Sequence, residues 1–296
     1  MKAIFIAGPL RYLDKIISQI DTHMKGETLE YSYFIHVWKT DKGNKKREDG
    51  SVDITEVIAN PRVKFFVVEE GYSEEDLNNY GYYSKEELDL SVETPPSKIN
   101  AFYGMMYSMR VLMRSLKSVL DYDKYTHILR LRTDVVILNK SLLIEIFGSE
   151  HVCVPHNHML GNDYCRICDH IWYSNIGVFE KIWCRSFSVV YFLHRLLGKS
   201  PETTLGVIKV LSMPFTSVKK NIFRDVDYHI IYDLPRGYDP RWRHECSSPQ
   251  EIFDNACVIY RSEETAALKE NHLNKILLNA ARPFFIKIYE FLKRLF

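Results

Sequence analysis

The sequence predicts an α/β domain with a mostly parallel central sheet flanked by helices and a C-terminal helical extension. Three observations predict it. Short β-rich runs alternate with a helix or long connections. A long apolar helix delivers the chain to a further strand, and the last residues carry a helical stripe. At 296 residues with 46% hydrophobic and 13% aromatic content, the chain is long enough to bury one large core.

The first strand is "KAIFIAG", closed by Gly8-Pro9. Leu13, Ile16, Ile17 and Ile20 then recur at helical spacing. "YSYFIHVW" at 31–38 is a second strand, running into the polar stretch "KTDKGNKKREDGS", whose lysines read as a solvated loop. "VKFFVVEE" at 63–70 is a third, ending in two glutamates. Residues 71–96 are rich in tyrosine and acid and end in Pro95-Pro96, which suits a loop. In the helix that follows, Phe102, Met105, Met106, Met109, Leu112, Met113 and Leu116 fall on one stripe, read as core filling by adaptable methionines.

"HILRLRTDVVIL" at 127–138 reads as a strand interrupted by charge. Alternation would point Arg130, Arg132 and Asp134 to one side. Burying them unpaired is prohibitive, so they either neutralise one another or surround a ligand at the sheet's rim. The end of a central strand in an α/β sheet is where nucleotides bind, which favours the second reading and an open crevice. "HVCVP" at 151–155 is a further strand, and "VFEKIWCRSFSVVYFLHRLLGK" reads as one helix ended by Gly198. "SPETTLGVIKVL" opens with Ser200 as cap and Pro201 at the first helical position.

A net charge of +1 leaves no general basic field for nucleic acid. "MKAIFIAGPL" meets Gly8-Pro9 too soon for a secretory segment, and no uncharged run approaches the roughly 20 residues that span a bilayer. Six scattered cysteines then suggest a reducing, cytoplasmic setting. The sequence holds neither GxGxxG nor GxxxxGK[ST], against a dinucleotide-dependent dehydrogenase or a P-loop ATPase. His151, Cys153, His156, His158, Cys165, Cys168 and His170 crowd into 20 residues. Zinc ligation is one reading, but the ligands straddle a core strand, so reduced cysteines and loop histidines are the default.

"YDKYTHILRLRTDVVI", preceded by its long helix, resembles the tyrosine-aspartate, apolar strand, Arg-x-Arg-x-Asp signature of bacterial polysaccharide glycosyltransferases of the GT-A fold, including the WavE-like lipopolysaccharide-synthesis proteins. "FIAGPL" with "FIHVW" is similar to that family's first two strands. "NDYCRICDHIWYSNIGVFEKIW" resembles its segment with an acid before a small-residue turn and helix, and "SPETTLGVIKVL" its later Pro-Glu helix. The resemblance spans roughly residues 1 to 225.

It implies a GT-A-like domain over 1–265, with 266–296 as the helical extension. The activity implied is transfer of a sugar from a nucleoside-diphosphate donor to a lipopolysaccharide or capsule glycan, free or lipid-linked. Asp134 becomes the acid of a DxD-type motif, holding Mn²⁺ or Mg²⁺ at the diphosphate. Arginine stands two positions before it where aspartate is usual, so Arg130 and Arg132 would contact phosphate directly. Gly8, Pro9, Arg11, Trp38 and Glu69 would complete the donor pocket, with His36 beside Trp38. An inverting reaction needs a base, for which Asp169 comes first, then Asp163 and Glu202.

In the last helix Phe284, Phe285, Ile288, Phe291, Leu292 and Leu295 share a side, with Lys287, Lys293 and Arg294 elsewhere. This suits an anchor on the inner membrane face, a docked terminal helix or a dimer contact equally. The rival functions are a nucleotide-binding or nucleotidyl-transferring enzyme, and a non-catalytic, zinc-stabilised scaffold.

Overall fold

The computed structural model describes residues 1–39, 52–70, 96–139, 141–156, 169–186, 189–190, 193, 201–212, 218–223 and 227–230. The predicted C-terminal helix, the boundary at 265, Asp163, Cys165, Cys168 and His158 lie outside these residues.

Nine strands are described. They are β1 (Lys2–Pro9), β2 (Tyr31–Trp38), β3 (Val63–Glu69), β4 (His127–Arg132), β5 (Val135–Ile137), β6 (Val152–His156), β7 (Ile171–Asn175), β8 (Val218–Phe223) and β9 (Tyr228–Ile230). The helices are α1 (Leu13–His23), α2 (Ile54–Ala59), α3 (Pro96–Ser118), α4 (Ser141–Phe147), α5 (Ile176–Trp183) and α6 (Pro201–Ser212). Seven strands form one sheet in the order β3-β2-β1-β4-β7-β6-β8, while β5 and β9 make a separate antiparallel pair. β3, β2, β1 and β4 are mutually parallel, and β6 runs parallel to β8. β7 opposes both its neighbours. This is the mixed α/β sheet flanked by helices that the sequence predicts.

Both faces of β1 are covered, which is why it reads as a continuous apolar run. Ile4 and Ile6 pack with Leu13, Ile16 and Ile20 of α1 and with Leu142 and Ile146 of α4. Ala3, Phe5 and Ala7 face the other way, onto the Phe102, Met106, Met109 and Leu112 stripe of α3 and Phe179 of α5. Phe5 meets Phe34 and Phe179 at ring centroid distances of 5.8 and 5.4 Å. Truncating a buried ring of this size typically costs about 3–5 kcal/mol. The methionines are therefore core, as the stripe predicts.

Two elements depart from the sequence reading. The run 127–138 is not one strand, because β4 ends at Arg132, the chain turns at Thr133-Asp134, and β5 joins the other sheet. The turn lets Asp134 face back toward its neighbours instead of following strict alternation. The run 178–199 is not one helix either, because α5 stops at Trp183. There the Arg185 side chain donates from Nε to the Lys181 carbonyl at 2.7 Å, replacing an N–H that a continuing helix would supply.

The sheet positions a site through its order. The chain leaves β1 toward β2 and β3, then crosses back to place β4 on the other side of β1. Their adjoining carboxyl ends mark the topological switch point, where ligands of open α/β sheets bind. β7 is antiparallel to β4, so its entry, not its exit, arrives at this rim. Asp169 and His170 reach the same edge as Arg132 for that reason.

Candidate active site at the sheet rim

Gly8 holds the end of β1 close to the turn after β4. Its φ of +149° suits glycine, and a Cβ there would lie 2.6 Å from Thr133 Oγ1. Thr133 Oγ1 in turn donates to the Pro9 carbonyl at 2.7 Å. The two strand ends are thereby locked together, and the Asp134 backbone is placed.

Around that lock lies an ionic chain. Arg132 forks onto Asp134, donating from Nε to Oδ1 at 3.0 Å and from NH2 to Oδ2 at 2.7 Å. Arg11, itself buried, donates from NH1 to Asp134 Oδ2 at 3.1 Å. Arg132 NH1 also reaches Asp169 Oδ1 at 3.4 Å. Arg130 donates to the Asp169 carbonyl oxygen and has NH2 3.8 Å from its Oδ2, while its guanidinium lies 4.4 Å from the centre of the Trp183 ring. His170 Nδ1 shares a hydrogen bond with Tyr228 Oη at 3.0 Å, and Nε2 lies 3.8 Å from Asp169 Oδ1.

Three guanidiniums thus meet two carboxylates. Burial alone would push the Asp134 carboxyl up, but Arg132 and Arg11 outweigh it and hold the group below the usual range. Burial likewise opposes ionisation of Asp169, and Arg132, His170 and Arg130 bring it down to about 2.

The expected trio does gather, but not as an open grip. Side-chain exposure is 1% for Arg130 and 1% for Asp134, and only Arg132 at 24% and Asp169 at 23% reach the surface. Arg130, for which the resemblance implies a phosphate contact, lies beneath Trp183 and the Asp169 backbone. Asp169, the first candidate base, is ionised and paired with guanidiniums, which makes it a weak proton acceptor in this state.

The remaining predicted donor residues continue along the rim. Register pairs Ala7 with Arg132, Pro9 with Trp38, and Trp38 with Glu69. Strand spacing of about 4.8 Å makes the row from β3 to β7 roughly 19 Å long. At its far end the His36 and Trp38 rings meet edge-on at 4.7 Å, and His36 Nε2 lies 3.5 Å from Glu69 Oε1. Tyr107 Oη donates to the same Glu69 oxygen at 3.3 Å. Burial of His36 lowers its pKa despite Glu69, which keeps the ring neutral near neutral pH. Glu202 sits in the first turn of α6, which packs against α5 and α3.

The chain is similar to galactosyltransferase structures. One is a crystal structure of the galactosyltransferase LgtC in complex with donor and acceptor sugar analogues, at 10% identity and a TM-score of 0.39, covering 71% of this chain and 70% of that one. Another is an active-site mutant of LgtC, at 9% identity and a TM-score of 0.40, covering 88% of each chain. No family model matches the sequence, and no curated protein matches it.

The divalent cation implied by the resemblance does not fit the described residues. Both Asp134 oxygens already accept from guanidinium groups. Among the described residues no group of three or more His, Cys, Asp or Glu is arranged to hold a metal ion. That statement covers His151, Cys153 and His170 of the suggested zinc set. The Cys153 thiol is buried beside Tyr173, and burial pushes its pKa up to about 11. A cavity of about 290 Å³ lies elsewhere, lined by Asp14, Ser18, Asp21, Lys25, Glu56 and Asn60.

Sequence reasoning missed Thr133, Tyr107, Trp183 and Tyr228. Apolar alternation at Tyr228 and Ile230 hints at a strand, but nothing in the sequence pairs it with β5. Tyr107 stands beside the methionine stripe on α3, with no local sign that it meets Glu69.

Proposed function

We propose that this chain is a glycosyltransferase that uses a nucleoside-diphosphate sugar. One observation carries the reading: a network of guanidiniums, Arg11, Arg130 and Arg132 around Asp134 and Asp169, stands at the β1/β4 switch point with Arg132 partly exposed. A diphosphate matches the charge-assisted donors of Arg132, and the row toward Trp38 and Glu69 gives the base and ribose a place to lie. An acceptor arriving beside Asp169 would meet the sugar at the opposite end.

The network also gives Asp169 a conditional basicity. Its carboxyl is held down by Arg132 before the other charges. A diphosphate that draws Arg132 toward itself weakens that hold and adds negative charge nearby, so proton affinity rises once the donor is bound. The acceptor on this reading is a surface glycan, on its own or on a lipid carrier. No helix among the described residues is long and apolar enough to cross a membrane.

The reading is tested by thermal-shift titration with a panel of nucleoside-diphosphate sugars, followed by acceptor-free turnover of any that bind. Stabilisation of several degrees, lost in Arg132→Ala, and release of free sugar with the nucleoside diphosphate are expected. Absence of a shift with every donor would defeat it.

A further inference from the structure

The charge that leaves with the diphosphate must be neutralised, and the rim contains the means without a metal. Mg²⁺ and Mn²⁺ prefer an octahedron of oxygens, with carboxylates free to enter it. Of the two carboxylates in the network, Asp134 accepts three guanidinium N–H contacts of 2.7, 3.0 and 3.1 Å, and Asp169 accepts from the same Arg132 at 3.4 Å. A divalent ion placed on either Asp134 oxygen would sit against Arg11 and Arg132, two positive charges within hydrogen-bond distance of the same group. It would have to break the Arg132 fork and leave the buried Arg11 without its carboxylate. A guanidinium already there performs the same electrostatic task and matches phosphate with two parallel N–H donors.

Resting on the glycosyl-transfer reading above, we infer that this enzyme binds and discharges its donor without a divalent cation, with Arg132 as the group that neutralises the diphosphate and Arg11 holding Asp134 in place. During transfer the acceptor oxygen bonds to the anomeric carbon, and the bond from that carbon to the phosphate oxygen breaks. The electron pair departs on the diphosphate beside Arg132. The acceptor proton passes to Asp169.

Calorimetric titration of the EDTA-treated full chain with UDP and with GDP tests this, each repeated with added Mn²⁺. The affinity of whichever nucleotide binds should agree within about twofold with and without the ion. Loss of about tenfold or more in EDTA, or 1.4 kcal/mol, would overturn the inference and leave the glycosyltransferase reading standing. Failure of both nucleotides and of every sugar donor in both buffers would remove the two together. Asp134→Asn gives a second readout wherever circular dichroism shows it folded. A cation site would show a gain in nucleotide affinity with Mn²⁺ in the native chain that this variant loses, whereas a guanidinium site shows no such gain in either.

Discussion

Asp21 and Asp134 are both gripped from several directions, yet they keep different company. Asp21, on α1 below the start of β2, accepts from Tyr31 Oη at 2.7 Å, Tyr33 Oη at 2.8 Å and Asn60 Nδ2 at 2.7 Å, with the more exposed Arg62 at 3.4 Å. Asp134, at the other end of the sheet, has only guanidiniums, and one of them is shared with a second carboxylate. At Asp21 neutral donors fill the carboxylate's hydrogen bonds and the single Arg62 offsets its charge. A cluster of arginines presents charge-assisted donors, the kind of group an anion pairs with. The first arrangement fastens α1 and α2 to the sheet; the second is suited to a ligand.

The comparison breaks most visibly when each acid is removed. Asp134→Ala strands the buried Arg11, and a loss of ~3–5 kcal/mol in urea unfolding is expected. Asp21→Ala leaves hydroxyls and an amide unpaired, for about 1–3 kcal/mol. Equal midpoints for the two variants would undo the distinction.

The two clusters should also fail on opposite sides of neutrality. Asp169 and Asp134 are held below their ordinary value of 3.8, so their contribution is complete above that pH and disappears as pH falls through the folded value, about 2 for Asp169. That shift corresponds to about 2 kcal/mol for Asp169. The Tyr31 and Tyr33 hydroxyls are raised above 10 by burial first and by Asp21 next. Their contribution is complete below pH 10 and is lost as pH climbs beyond it. Urea midpoints of Asp169→Asn and of a Tyr31→Phe, Tyr33→Phe double variant, followed against pH, should flatten the acid limb and the alkaline limb respectively.

The smallest effect sharpens the contrast further. Tyr33→Phe removes one of several neutral donors to Asp21 and should lower stability by about 1 kcal/mol while leaving nucleotide titrations unchanged. A changed nucleotide affinity in that variant would show that the two ends of the sheet are coupled.

What the sequence revealed follows from where its information is local. β1, β2 and β3 are legible because each is a continuous apolar run, and α3 because its methionines recur at helical spacing. Gly8, Arg11, Trp38, Arg132 and Asp169 were singled out from strand ends and a family likeness, and register sets them along one rim. The interruption at Thr133-Asp134 was not legible, since its cause is the contact with Gly8 and Pro9 some 124 positions away. Nor was the burial of Arg130, which depends on Trp183 arriving from α5. The reversal of β7 is equally non-local, because a short run such as "IWYSN" reads the same in either direction.

That reversal has a practical consequence for engineering. β6 runs toward the rim and β7 runs away from it, so His156 and Asp169 are two anchor points on one edge of the sheet. Neither residue takes part in the pairing of β1 with β4, so both positions serve as splice sites that leave that pairing untouched.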